Sequence, residues 1–154
     1  MATYSFLDNL VAISGPNGSF NLGGPGQANS EGGITIVMVE DKNTMTIGAS
    51  GEGMHSLHAG KAATLTCRFL KTSPVNAQLS AMYAADTIGG ATHGRNTISV
   101  RDLARGDVIT CQEVAFAKFA DITYAKDGGE QVWTFHCVRT DFVLGSGLPQ
   151  AAAA

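Results

Sequence analysis

The chain has 154 residues, which suits one domain and allows a buried core that needs neither disulfides nor a metal. Only 15% of the residues are charged, against roughly 25% in an ordinary soluble domain, the formal net charge is -3, and the ten basic residues are scattered, which argues against a nucleic-acid-binding stripe. No run approaches the ~18 apolar residues of a membrane span, and residues 1–13 lack the pattern of an export signal, so neither membrane insertion nor standard export is expected.

Short runs of period-two alternation, separated by glycine-rich turns, predict an antiparallel all-β fold from the start of the chain. The first predicted strand covers residues 3–13 and is followed by a Pro-Asn-Gly turn. A glycine-rich loop is predicted over 23–33, before a strand at 33–40 that is apolar on both faces. A strand of that kind needs cover from more than one side.

A projecting hairpin or loop is predicted at about residues 40–60, with a strand at 44–49. It carries Met45, Ile47, Met54 and Leu57 between glycines. Apolar side chains on such a connection invite association with another surface or strand edge. These four residues are therefore candidates for a subunit contact.

His55 and His58 lie three residues apart in the same region and raise the question of a metal site. In an extended chain, residues three apart face opposite sides, so the two imidazoles diverge. The helical turn that would bring them together is disfavoured by Gly51, Gly53 and Gly60. We expect no metal and no cofactor, and we assign both histidines to the predicted contact surface as polar members.

The clearest alternation covers residues 61–70. Its two faces are an apolar one, formed by Ala63, Leu65, Cys67 and Phe69, and a polar one, formed by Thr64, Thr66 and Arg68. The segment that follows, residues 72–90, has helical spacing instead. Its apolar residues, at the spacing of one core-facing stripe, are Val75, Leu79, Met82 and Tyr83. Ser73 and Pro74 suit the start of a helix, which we predict at about residues 73–88, covering an open end or side of the β-structure.

Four more strands are predicted, at residues 96–102, 107–119, 121–125 and 130–144. In the last of these, alternation places Gln131, Trp133, Phe135, Cys137 and Arg139 on one face. The three cysteines lie within strands and are odd in number, which is typical of reduced core residues in a protein made in the cytoplasm. The motifs of nucleophilic, phosphate-binding or metal-dependent enzymes are lacking, so we expect no enzyme.

Three stretches together resemble one family. They are EDKNTMTIGASGEGMHSLHAGKAATLTCRFLKTSPVNAQLSAMY at 40–83, the opening ATYSFLDNLVAISGPNGSF, and the late YAKDGGEQVWTF. They are similar to the tail tube proteins of contractile-tailed bacteriophages and related prophages, over roughly residues 2–145. The resemblance implies a mostly β fold, an antiparallel β-sandwich or half-barrel with one flanking helix. We predict a single domain over 1–147 from the chain length, followed by a flexible tail at 148–154, where LPQAAAA has no periodicity.

The resemblance also implies a structural role in the virion tail, after synthesis in the host bacterial cytoplasm. Subunits of the family assemble as hexameric rings that stack into the tube through which the genome passes, and the hairpin at about 40–60 reaches a neighbouring subunit or ring. The implied partners are a tail sheath protein, a baseplate or tube initiator, a tape measure protein in the lumen, and passing DNA.

A lumen for DNA should not hold phosphates tightly, and a threonine face meets that requirement. We therefore hypothesise that Thr64, Thr66 and Arg68 face the lumen. The positive charge of Arg68 argues against this face, so the assignment of the luminal face stays open. Two alternatives remain open. One is a tube subunit of a related contractile device, pyocin-like or of type VI secretion. The other, from a different class, is an intracellular β-barrel binding module or a small enzyme with a histidine-containing site.

Overall fold

The computed structural model describes residues 3–146, so the predicted tail at 148–154 lies outside the described residues. Within them the chain forms nine β-strands and one α-helix. The strands are β1 (Asn9–Gly15), β2 (Gly18–Gly23), β3 (Asn29–Met38), β4 (Asn43–Ile47), β5 (Gly53–Leu57), β6 (Ala63–Leu70), β7 (Asn96–Asp102), β8 (Asp107–Phe116) and β9 (Glu130–Val143). The helix α1 (Val75–Asp86) follows β6.

Seven of the strands form one antiparallel sheet in the order β2-β1-β7-β8-β9-β6-β3, and β4 pairs with β5 in a separate two-stranded sheet. The large sheet curls into a half-barrel, so its edge strands β2 and β3 approach each other at one corner. There Asn29 Nδ2 donates to the Leu22 carbonyl oxygen at 3.1 Å. Gly23 lies so close to β3 that a Cβ on it would be 2.9 Å from Cδ1 of Ile34. The predicted mostly β half-barrel with one helix is confirmed.

The core lies inside the curl of the sheet. On β6, the apolar residues predicted to share a face, Ala63, Leu65, Cys67 and Phe69, are all fully buried. Aromatic rings fill the space between sheet and helix, with centroids of Phe116 and Phe135 4.8 Å apart and those of Phe119 and Trp133 4.9 Å apart. Such ring pairs contribute both apolar burial and a preferred geometry.

Helix α1 covers the core with one stripe, as predicted, but is shorter than residues 73–88 at both ends. Ser73 fixes its start, because its Oγ accepts from the Val75 N–H at 3.3 Å and donates to the Gln27 carbonyl oxygen at 2.7 Å. Val75, Leu79 and Met82 are buried. At the other end, Thr87 donates its N–H and its hydroxyl to the Tyr83 carbonyl oxygen, which ends the helix.

Two strands, β2 and β5, were not predicted, and one predicted strand, at 121–125, is absent. Strand β2 was not expected, because glycines at both of its ends obscure the alternation, although the turn before it was predicted. Residues 121–125 form no strand and are all exposed. Lys71 holds them in place through the Thr123 carbonyl oxygen and the Tyr124 ring, 3.9 Å from its Nζ. Local alternation does not make a strand where no neighbouring edge is available to pair with.

The starts of β1 and β3 differ most from the prediction. The first strand begins at Asn9 and not at residue 3, because Ser5 Oγ accepts from the Leu7 N–H and caps a 3-10 turn at Phe6–Asp8. Strand β3 begins at Asn29, inside the predicted loop at 23–33, with an irregular register before Ile34.

The alternation predicted for the last strand reverses near its middle. Glu113 on β8 has a left-handed backbone with φ of 55°, and the register between β7 and β8 shifts beside it. On β9 the neighbouring Val138 and Arg139 are both exposed, and Thr140 is buried. The placement of Arg139 on the same face as Cys137 was therefore wrong, because β9 stays in register with β8 and its alternation reverses beside the bulge at Glu113.

Candidate assembly surfaces

The hairpin of β4 and β5 exposes apolar side chains that nothing in the described residues covers. Every residue from 37 to 55 is exposed. Asn43 pairs with Leu57 and Met45 with His55. Because directly paired residues share a face, Met45, Ile47 and Leu57 form one face of the hairpin, which we name the Leu57 face. The exposed fraction of Leu57 is 84% and that of Met45 is 60%.

Met54 lies on the opposite face of the hairpin from the Leu57 face, since it pairs with Thr46. The predicted contact residues are therefore brought together on one hairpin but divided between its two sides. The sequence showed that this region is rich in apolar residues. It did not predict β5 as a separate strand, so it could not assign these residues to the two faces of the hairpin.

The hairpin keeps its shape through its own hydrogen bonds. At its tip, the Gly48 N–H donates to the Glu52 carbonyl oxygen at 2.7 Å. At its base, the His58 N–H donates to the Lys42 carbonyl oxygen and Lys42 Nζ donates to the Gly60 carbonyl oxygen, both at 2.9 Å. A surface that is ordered before it binds loses less conformational entropy on binding.

The two histidines of the hairpin point to different sides, as their spacing predicts. His55 Nδ1 lies 3.1 Å from Asn43 Nδ2, and His58 Nε2 lies 2.7 Å from the Thr44 hydroxyl. Asn43 and Thr44 are neighbours on β4, so their side chains leave opposite faces of the strand. Within residues 3–146, no group of three or more histidine, cysteine, aspartate or glutamate side chains is arranged to hold a metal ion.

The face of the large sheet that points away from α1, which we name the outer face, carries the predicted lumen residues. Thr64, Thr66 and Arg68 alternate with the buried residues of β6 and are themselves half-buried. Arg68 Nη1 donates to the Thr35 hydroxyl at 3.1 Å and approaches the Gly32 carbonyl oxygen at 3.4 Å. These contacts hold the guanidinium against β3.

Hydroxyl side chains continue across the outer face beyond those that the sequence identified. Thr66 pairs with Thr35 on β3 and with Thr134 on β9, which makes a row of three threonines across three strands. Ser99 and Thr110 pair in the same way between β7 and β8. Alternation within each strand predicts that these residues lie on the face opposite the core. Only the strand order shows that they lie side by side.

The bulge at Glu113 opens a hollow of 740 Å³ on the outer face. Its charged or titratable lining residues are His93, Arg95, Glu113 and His136. A second hollow of 550 Å³ shares Gln112 and Val138 with it and is lined by Lys61, Arg139 and Asp141. Both signs of charge are present in each hollow, so neither is a uniformly basic site for phosphates.

The cysteines belong to the core. All three are buried and free. Burial raises the pKa of the Cys67 thiol, and a hydrogen bond with Cys111 together with burial raises the pKa of the Cys137 thiol. A nucleophilic cysteine needs a lowered pKa and access to substrate. Cys67 and Cys137 have the opposite properties.

The fold therefore offers two edge strands, a hairpin with uncovered apolar side chains and a hydroxyl-bearing face, which are features suited to a subunit that contacts other subunits. The chain matches the family described as Bacteriophage PhiTE tail tube protein over residues 1–145. It therefore belongs to that phage tail tube family, as the resemblance in its sequence implied.

Solved structures of contractile injection systems share the fold. A chain of the PVC sheath-tube complex in its extended state aligns with a TM-score of 0.56 at 8% identity, covering 87% of this chain and 88% of that one. A chain of the anti-feeding prophage tube-terminating cap aligns with a TM-score of 0.52 at 8% identity, covering 94% and 95%. A chain of the anti-feeding prophage baseplate has a TM-score of 0.50 at 11% identity, covering 93% and 94%.

No curated protein matches the chain in sequence. Among residues 3–146, no helix has the length and apolar character needed to span a membrane.

Proposed function

We propose that this chain is the tail tube subunit of a contractile phage tail, that it self-assembles into stacked hexameric rings, and that the resulting tube conducts the genome during ejection. The observation that carries the proposal is the preformed hairpin with its exposed Leu57 face, in a chain of the tail tube family. In this role the protein has no catalytic activity and no cofactor, and it is made in the host cytoplasm before it enters the virion.

The contact between subunits involves Met45, Ile47, Met54, His55, Leu57 and His58. The Leu57 face supplies apolar area for burial against a neighbouring subunit or ring, at about 25 cal/mol per Å² of apolar surface removed from water. His55 and His58 are polar members of the contact. The free edges of β2 and β3 support assembly as well, because strands of neighbouring subunits remove exposed edges by pairing.

The outer face lines the lumen in this proposal, with Thr64, Thr66 and Arg68 on it. Neutral hydroxyl groups hydrogen-bond to water without fixing phosphate groups, so the duplex meets no strong electrostatic trap. Arg68 is already engaged with Thr35 and Gly32, which limits its reach. The further partners are a sheath protein around the tube, a baseplate or tube initiator, and a tape measure protein in the lumen before DNA passes.

The test is negative-stain electron microscopy of the purified protein over a range of concentrations. Rings or tubes with sixfold end views are expected, since the contact surfaces are present without any other component. A protein that stays monomeric at high concentration, by light scattering and by microscopy, contradicts self-assembly. Rings of another symmetry contradict the hexamer but not the tube.

A second candidate role is supported by the fold likeness to chains from the PVC and anti-feeding prophage particles. In that role the chain forms the tube of a contractile injection device. Microscopy of particles from the producing cells, with antibody against this chain, separates the two. Label on tails attached to DNA-filled heads supports the phage tail, and label on headless particles alone supports the injection device.

A further inference from the structure

The tight turn between β1 and β2 contains an Asn-Gly pair. Gly15 pairs with Gly18 across the hairpin, so Pro16 and Asn17 occupy the two turn positions. Asn17 is the one asparagine in the chain that is followed by glycine. Residues 16–19 are all exposed. A glycine after asparagine leaves the following backbone nitrogen without a shielding side chain, and here a Cβ on Gly18 would meet nothing closer than Cε of Met82 at 3.9 Å.

The side-chain amide of Asn17 has a specific partner. Its Nδ2 donates to Oδ1 of Asp86 at 2.5 Å. Asp86 is the last residue of α1 and is only 1% exposed. The other carboxylate oxygen, Oδ2, accepts from Asn96 Nδ2 at 2.6 Å. In the described part of the chain, no cation pairs with Asp86.

Asp86 therefore depends on these two amides. A buried carboxylate is costly unless hydrogen bonds compensate for its lost hydration. Its position at the carboxyl end of a helix adds repulsion from the helix dipole. Asn96 has little freedom to adjust, because a Cβ on Gly15 would lie 1.9 Å from its Oδ1, so the β1 backbone packs directly against this amide. A change at Asn17 cannot be absorbed by moving Asn96.

We infer that Asn17–Gly18 is a site of spontaneous deamidation and that Asp86 makes the folded subunit sensitive to it. In the reaction, the deprotonated backbone nitrogen of Gly18 attacks Cγ of Asn17 and forms a cyclic imide, and Nδ2 leaves as ammonia. Water then opens the imide at either carbonyl, which gives aspartate or isoaspartate. The net change is loss of ammonia and gain of water.

Deamidation turns the attractive contact between residue 17 and Asp86 into a repulsive one. The donor at 2.5 Å is replaced by a carboxylate that faces a second, buried carboxylate. Like charges at this separation repel, because the Asp86 carboxylate is buried and poorly screened although residue 17 is exposed, and one hydrogen bond is lost as well. The contact that ties the end of α1 to the β1–β2 turn is therefore broken by the modification.

The site is tested by peptide mapping with mass spectrometry. The folded protein and a peptide of residues 13–21 are incubated at mildly alkaline pH. Asn17 is expected to convert in both, and more slowly in the folded protein, because the Asp86 hydrogen bond and the strand pairing restrain the turn. Asn43 is an internal control, since it is exposed but followed by a threonine. Conversion of Asn17 in the folded protein no faster than that of Asn43 overturns the inference.

The role of Asp86 is tested with product-mimicking variants and thermal unfolding. Asn17→Asp is expected to lower the unfolding temperature by about 5 °C or more in the wild-type background. In an Asp86→Asn background the same substitution is expected to cost much less, because the repulsion is absent. An equal cost in both backgrounds, or an Asn17→Asp protein as stable as the wild type, overturns the role of Asp86. If Asn17→Asp does not fold, recovery of folding by Asp86→Asn gives the same answer.

Discussion

At the scale of one residue, the buried thiol of Cys67 makes the free energy of unfolding depend on pH. It lies between Leu65 and Phe69 on β6, and all three side chains are fully buried. Burial raises the pKa of its thiol, because the thiolate would lose its hydration in the core. In the unfolded chain the thiol ionises at its usual pKa of about 8.5. Above that pH the unfolded state binds fewer protons than the folded state, so stability falls as pH rises.

We predict that Cys67→Ala makes the free energy of unfolding less dependent on pH between about 8 and 10. The thiol contributes up to roughly 1.4 kcal/mol of lost stability per pH unit above its unfolded pKa. The measurement is urea unfolding of wild type and variant at both pH values, and the slopes are compared because other groups also titrate. Val75→Ala, a core truncation without a thiol, should keep the wild-type slope. Identical slopes for wild type and Cys67→Ala would show that Cys67 does not have a raised pKa.

At the scale of the element, the hairpin and the helix present contrasting surfaces. Helix α1 buries its apolar stripe against the sheet, with Leu79 fully buried at its centre. The β4–β5 hairpin instead leaves its apolar side chains exposed. Substitutions in the helix should therefore change folding, and substitutions in the hairpin should change association.

For the helix, we predict that Leu79→Ala lowers the free energy of unfolding by about 2–5 kcal/mol, because it leaves a cavity under α1. Chemical denaturation followed by circular dichroism measures the change. Gln78→Ala is the matched control, since Gln78 is the exposed neighbour on the same helix, and its effect should stay within about 0.5 kcal/mol. A small effect of Leu79→Ala would mean that the helix is not held by this stripe.

For the hairpin, we predict that Leu57→Asp or Met54→Asp leaves the monomer folded and abolishes tube formation. Both side chains are exposed in the monomer, so its stability should change by no more than about 0.5 kcal/mol. Burying an unpaired carboxylate at a contact is costly. Ser50→Asp adds the same charge at the hairpin tip without removing an apolar side chain, and it should still assemble. Unfolding of the monomer by Leu57→Asp would place this residue in the core.

The sequence predicts correctly those elements whose pattern is complete within their own residues. Strand β6 alternates without interruption, and α1 has both an apolar stripe and a serine at its start. Strand β2 and residues 121–125 depend on what lies beside them, since pairing needs an available edge. The same limit applies to the candidate surfaces. The apolar hairpin residues and Thr64 were recognisable, but the row of Thr35, Thr66 and Thr134 exists only through strand order.

At the scale of the whole molecule, the two faces of the curled sheet are not equivalent. One is filled by α1 and the aromatic core, and the other carries hydroxyl groups and scattered charges of both signs. The second face is the one that we propose lines the lumen. The edges β2 and β3 remain available for neighbours, so a ring of subunits can be joined at its edges while its outer faces stay open to solvent.

The lumen assignment predicts a difference in accessibility between monomer and tube. A Thr64→Cys variant places a thiol on the partly exposed outer face, and the three native cysteines should not compete for the reagent because they are buried. In the monomer this thiol should react with both a small maleimide and a large polyethylene-glycol maleimide. In assembled tubes the small reagent should still react by diffusing along the lumen, whereas the large one should be excluded. Ala77→Cys, on the exposed side of α1, is the control that should react with both reagents in both states. Reaction of Thr64→Cys with the large reagent in intact tubes would place the outer face on the outside of the tube.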